Sequence, residues 1–145
     1  MTDSDYIIGI DDVNDIKGFF ESLLFFYAPL DLILTTWGKL PQEVHSSLSA
    51  FKAHTSWMRR LFFKQIDWHL NKESVNSIIK SLCTDSVLEK FTWGIIKGDT
   101  PLGLSRTWDD MNVNGSDLIE DATLFQWVEE LKSNGIIDSY NKIID

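Results

Sequence analysis

The sequence predicts a mainly α, single-domain helical bundle, with short strands at 6–10 and 91–96. Three observations point there. Apolar residues recur at three- and four-residue steps over much of the chain, as amphipathic helices require. The 145 residues, 43% of them hydrophobic, suffice for one core and are too few for two comfortable domains. No repeat, low-complexity stretch or inter-domain linker divides residues 1–145.

Taken in order, the apolar run Tyr6–Ile10 can form a strand, and Asp11 or Asp12 offers an N-cap for a following helix. Val13, Ile16, Phe20, Leu23, Leu24 and Tyr27 give that helix its apolar face, and Phe19, Phe25 and Phe26 extend it nearly all round, marking a central element. Pro29 ends or kinks it, and Leu30–Trp37 reads as a second short helical piece before Gly38. Pro41 suits the first turn of the next helix. There Val44, Leu48, Phe51, Met58, Phe62 and Ile66 keep one phase to about residue 69, as a single long helix or two joined near Ser56.

Two further short helices follow, Ser74–Leu82 and Ser86–Phe91, with Thr84–Asp85 capping the second. Phe91–Ile96 equally suits a strand, because Phe, Thr, Trp and Ile favour a pleated surface. Between Gly98 and Ser116 the periodicity stops, and Pro101, Gly103, Asn112, Asn114 and Gly115 suggest a long irregular connection of the kind that often carries function. Ser116 or Asp117 caps a final helix, Leu118–Ser133, closed by Gly135 with Ile136 reaching back to Leu131. The tail Asp138–Asp145 can add one more turn.

Twenty-two acids against thirteen bases give a net charge of −9, which argues against a nucleic-acid binder, whose footprint is basic. The acids concentrate at the ends of the chain, while residues 41–100 are weakly basic. One cysteine, Cys83, makes no intramolecular disulfide, and no Cys/His spacing suits zinc. The acidic N-terminus, with Asp3 and Asp5, is unlike a signal peptide, and no apolar run reaches membrane-spanning length. These features together predict a cytoplasmic protein that keeps clear of membranes.

No motif names a reaction, so an enzyme is not expected: GxxxxGK[ST], HExxH, GxSxG and GxGxxG are all missing. Cys83, His45, His54 and His69 share no local signature; Cys83 sits in an apolar phase as a buried thiol, and His69 continues a core stripe. No catalytic residue, metal site or cofactor is assigned. Asp110-Met-Asn112-Val-Asn114-Gly115 matches the front half of an EF-hand calcium loop. Its back half departs, with Asp117 at position eight and Asp121 in place of the bidentate Glu. A calcium-binding module using Asp110, Asn112, Asn114 and Asp121 is the alternative function; a regulatory adaptor is another.

The densest surface feature is Trp108-Asp109-Asp110 with Asp117, Glu120 and Asp121, one aromatic beside five carboxylates. An aromatic anchor amid carboxylates can neutralise a basic partner and speed its capture. Asp3, Asp5, Asp11, Asp12 and Asp15 form a second acidic cluster. A separate stripe, Trp57, Arg60, Leu61, Lys64 and Trp68, has the residue types of interface hot spots.

In type, a small, acidic, Trp-rich chain with one thiol and no catalytic signature resembles the immunity proteins of bacterial toxin systems, including those of contact-dependent growth inhibition. The residues carrying the resemblance are the Trp108–Asp110 loop and the acidic start of the final helix. It implies a non-enzymatic inhibitor that binds one-to-one to a cognate basic toxin, often a nuclease, and covers its active site. Trp108, Asp109, Asp110, Asp117, Glu120 and Asp121 are then the partner-binding residues. Immunity families differ in fold, so the resemblance implies no topology.

Overall fold

The computed structural model describes residues 6–108 and 110–144. Its centre is one seven-stranded antiparallel sheet, which overturns the predicted helical bundle. The strands are β1 (Tyr6–Val13), β2 (Leu32–Trp37), β3 (Gln65–Leu70), β4 (Thr92–Lys97), β5 (Thr100–Thr107), β6 (Asp110–Asn114) and β7 (Ile137–Ile144), in spatial order β3-β2-β4-β5-β6-β1-β7. The helices are α1 (Ile16–Tyr27), α2 (Gln42–Ser47), α3 (Trp57–Phe63), α4 (Val75–Leu82), α5 (Asp85–Leu88) and α6 (Asp121–Ser133).

The two strands expected from sequence are present as β1 and β4; the others replace predicted helix or loop. Leu30–Trp37 pairs through Ile33, Thr35, Thr36 and Trp37, whose β-branched and aromatic side chains suit a pleated surface better than a helix. The predicted long helix 41–69 breaks three times. α2 stops at Ser47, Lys52–Thr55 runs extended with Ala53 N–H bonded to Asp67 O at 2.8 Å, and Lys64 turns into β3 with φ +51°. A 3.6-residue rhythm across those breaks was coincidence.

The expected irregular stretch 98–116 is the β5–β6 part of an antiparallel meander. Gly98, at φ +60°, makes the turn from β4 to β5. Pro101 sits where the β4–β5 register shifts, a position that spares a ladder donor. Gly103 lies against the Trp93 indole, which would stand 3.1 Å from an added Cβ. The tail becomes the edge strand β7 instead of a helical turn.

Alternation along the strands gives the sheet one apolar face. Ile8, Ile10, Leu32, Leu34, Trp68, Trp93, Ile95, Met111 and Val113 point to it, and the helices cover them. Phe19 and Phe20 of α1 pack on Trp93, while Phe125 of α6 stacks on Tyr6 at 5.6 Å. α1 is the predicted central helix, but its cap is Asp15, which accepts from Gly18 N–H at 2.9 Å, because β1 continues through Asp11 and Asp12 to Val13. α6 starts at Asp121, with Glu120 as cap residue in place of Ser116 or Asp117. Its end follows expectation: Ile136 N–H bonds to Leu131 O and Gly135 N–H to Lys132 O, with Gly135 at φ +75°. Among the described residues no helix is long and apolar enough to cross a membrane.

Candidate functional site

The registers fix which side chains share an end of the sheet. Trp37 lies opposite Gln65 and Thr92, Thr107 opposite Asp110, Ile10 opposite Met111, and Val13 opposite Ile137. One end therefore gathers Asp11 and Asp12 from β1, Asp15 at the start of α1, Asp110 at the start of β6 and Asp138 at the start of β7. Asp110 of one acidic cluster thus shares this end with Asp11, Asp12 and Asp15 of the other, from which it is far apart in sequence.

Some of these carboxylates hold the fold. Asp15 caps α1, Asp11 accepts from Asn141 Nδ2 at 2.9 Å, and Asp138 accepts from Asn14 Nδ2 at 2.7 Å. Asp12, Asp85, Glu89 and Asp110 are exposed. Trp108 joins the α5 carboxylates to this end. Its Nε1–H donates to Leu88 O at 2.8 Å, and its ring meets Phe20 and Phe91 edge-on at 5.5 and 5.8 Å. The indole is thus half-buried, wedged between α1 and α5 rather than standing free as an anchor. Its remaining face lines a groove of about 430 Å³ with Val13, Ile16 and Leu88 as apolar wall and Asp15, Asp85 and Glu89 as acidic rim; Lys17 is the cation on that rim.

The predicted six-residue surface does not stay in one piece. β6 carries the chain about 14 Å from Asp110 to Asn114, after which Gly115 N–H bonds to Tyr6 O at 2.8 Å. Asp117, Glu120 and Asp121 therefore lie toward the opposite end of the sheet from Trp108 and Asp110. Asp121 accepts the Tyr6 hydroxyl at 2.7 Å and so serves the fold. Asp109, like Asp3 and Asp5, lies outside the described residues.

Asp110, Asn112 and Asn114 stand on alternate positions of β6, facing away from the helices, rather than in a loop between two helices. Asn112 donates to Asn114 Oδ1 at 2.7 Å, and Asn114 to Pro101 O at 3.2 Å. No group of three or more His, Cys, Asp or Glu side chains is placed to hold a metal among the described residues.

Cys83 is buried at 3% exposure, and burial pushes its thiol up to about 12. His45 is half-buried with its ring 6.2 Å from Trp68; burial, then the nearby Lys52 charge, lowers its pKa. His54 is exposed, and His69, expected in the core, points from β3 into solvent. Asp67 is the carboxylate that sequence reading passed over. It is buried on the helix-free face and accepts from Thr35 Oγ1 at 2.7 Å, Thr55 Oγ1 at 3.0 Å and Gln65 Nε2 at 3.1 Å. Three donors satisfy it, and it fastens the Lys52–Thr55 segment to β3.

The stripe Trp57–Trp68 divides as well. Trp68 is fully buried, with Nε1–H on Thr36 Oγ1 at 3.1 Å, whereas Trp57, Met58, Leu61, Phe62 and Phe63 of α3 are 54–67% exposed. Met58 and Phe62, expected in the core, are on the surface because Ser56 starts a new short helix, its side chain accepting from Arg59 N–H. An acid-free run from Val44 to Ile66 containing Lys52, Arg59, Arg60 and Lys64 was the available sequence signal. No protein-family model, curated protein or solved structure matches the chain.

Proposed function

We propose that the protein is a non-enzymatic binding module, an immunity-type inhibitor that caps a basic protein partner one-to-one with the acidic end of its sheet. The reading rests on the β1–β6 register, which brings the end of β1, with Asp11 and Asp12, and the α1 cap Asp15 that follows it to the end of the sheet where β6 starts at Asp110. Asp85 and Glu89 add two exposed carboxylates across the Trp108 groove. A surface on which carboxylates outnumber its one rim cation, Lys17, attracts a basic partner from a distance and selects it over neutral competitors. The half-buried Trp108 supplies a fixed apolar wall against which such a partner packs. Asp117, Glu120 and Asp121 fall outside this contact surface.

A basic toxin, such as a nuclease whose cationic site accepts carboxylates in place of phosphates, is the partner this chemistry suits. The lone buried thiol fits a reducing compartment, the cytoplasm, as its setting. The test is capture from host lysate with the wild-type chain and with a Glu89→Lys, Asp110→Lys variant as control. A basic protein held by the wild type, released by salt and lost by the variant supports the reading. Equal retention by the variant overturns it.

A further inference from the structure

Five of the nine large hydrophobic side chains that the described chain leaves exposed stand on α3. At about 100° per residue, Trp57, Leu61, Met58 and Phe62 cover an arc of roughly 140°, with Arg59 and Arg60 off that arc and Lys64 at the helix end. Together with Phe63 they expose on the order of 500–700 Å² of apolar surface. That is at or above the ~300–600 Å² of the largest patch on a typical monomer, and it approaches the ~800 Å² each partner contributes to a standard interface.

We infer that α3 is the surface through which two copies of this chain associate, each seating its α3 against the Trp108 groove of the other. Charge supports this pairing. Arg59, Arg60 and Lys64 sit in the acid-free stretch of a chain whose net charge is −9, and the groove rim carries Asp15, Asp85 and Glu89. The apolar wall of Val13, Ile16, Leu88 and Trp108 receives what the apolar arc presents.

The topology permits a closed pairing. α3 enters β3 at Gln65, and Gly38 N–H bonds to Lys64 O at 3.3 Å, so α3 lies at the end of the sheet that also holds Asp110. β3 and β6 are four strands apart, about 19 Å. A two-fold axis between them lets both helix-to-groove contacts form at once, an isologous dimer rather than an open chain. An anionic bilayer is the less favoured occupant, because the net charge and the carboxylates at that same end repel its headgroups.

The inference uses the Trp108 groove that the partner proposed above would also occupy, so the two compete for it; the test is read on the chain alone and does not depend on that partner. Sedimentation velocity over a concentration series tests it, with folding of every variant checked by circular dichroism. The wild type is expected to dimerise reversibly, and Leu61→Asp with Phe62→Asp, whose side chains are exposed in the monomer, to weaken the dimer by about tenfold or more. Arg59→Glu with Arg60→Glu should weaken it, as should Asp85→Lys with Glu89→Lys, and combining the two reversals should restore it. A wild type that stays monomeric, a dimer indifferent to α3, or a combined variant no better than its parents overturns the inference. So does a monomeric chain that cosediments with phosphatidylserine vesicles, which would assign α3 to a lipid surface.

Discussion

The Tyr6 hydroxyl donates to the Asp121 carboxylate at 2.7 Å across 115 positions of sequence, tying the start of β1 to the first turn of α6. Tyr6 is buried and stacks on Phe125, so the bond fixes how α6 lies on the sheet. Tyr6→Phe keeps the ring and removes the donor. The variant should lose about 1.5–3 kcal/mol in urea unfolding, the range for a hydrogen bond to a charged group. An unchanged midpoint would show that the bond adds nothing to stability.

All three tyrosines resist ionisation. Burial raises Tyr6, with Asp121 adding to it; burial raises Tyr27; and the hydrogen bond to Glu129 raises Tyr140. Folded values above the unfolded value of about 10 mean that these groups contribute stability fully present below that pH and lost as pH rises above it. Tyrosinate absorbance should therefore lag behind that of free tyrosine and appear together with alkaline unfolding. A normal titration in the native protein would contradict this.

Gly38 has φ +143°, and a Cβ there would stand 2.0 Å from Lys90 O. The obstacle is backbone between α5 and β4, which cannot swing aside as a side chain can. Gly38→Ala should cost about 2–4 kcal/mol, combining left-side backbone strain with displacement of the Lys90–Phe91 segment. Gly98→Ala, with open space around it, should pay the φ strain alone. Comparing their thermal midpoints separates the two effects.

Elements whose pattern depends on one buried face were readable in the sequence: α1, α4 and α6, and the Schellman end at Gly135. The sheet was not, for identifiable reasons. β2 and β3 carry side chains buried on both faces, Thr35 and Asp67 among them, so the two-residue alternation that announces a strand is blurred. Gly103 and Pro101 look like loop residues, yet one accommodates the Trp93 ring and the other a register shift. At the candidate site, Trp108 and Asp110 and the second acidic cluster were all singled out. That β6 would join those two groups and send Asp121 to the far end is a matter of register, which no local pattern encodes.

Cys83 gives a check on packing at α4. Its thiol is buried and pushed up to about 12, so little thiolate exists at neutral pH. A disulfide reagent such as DTNB should react only as fast as the chain opens, and fully in denaturant. Rapid labelling of the native protein would mean that the end of α4 opens more readily than the 3% exposure of Cys83 implies.

On the function proposed above, the acidic end that holds Asp12 and Asp110, with Glu89 across the Trp108 groove, recruits a basic partner by charge. The most direct measurement is the association rate of the captured partner as ionic strength rises, for the wild type and for the Glu89→Lys, Asp110→Lys variant. The rate should fall steeply with salt for the wild type and be already slow and nearly salt-independent for the variant. Equal rates with equal salt dependence would place the binding surface elsewhere and contradict it.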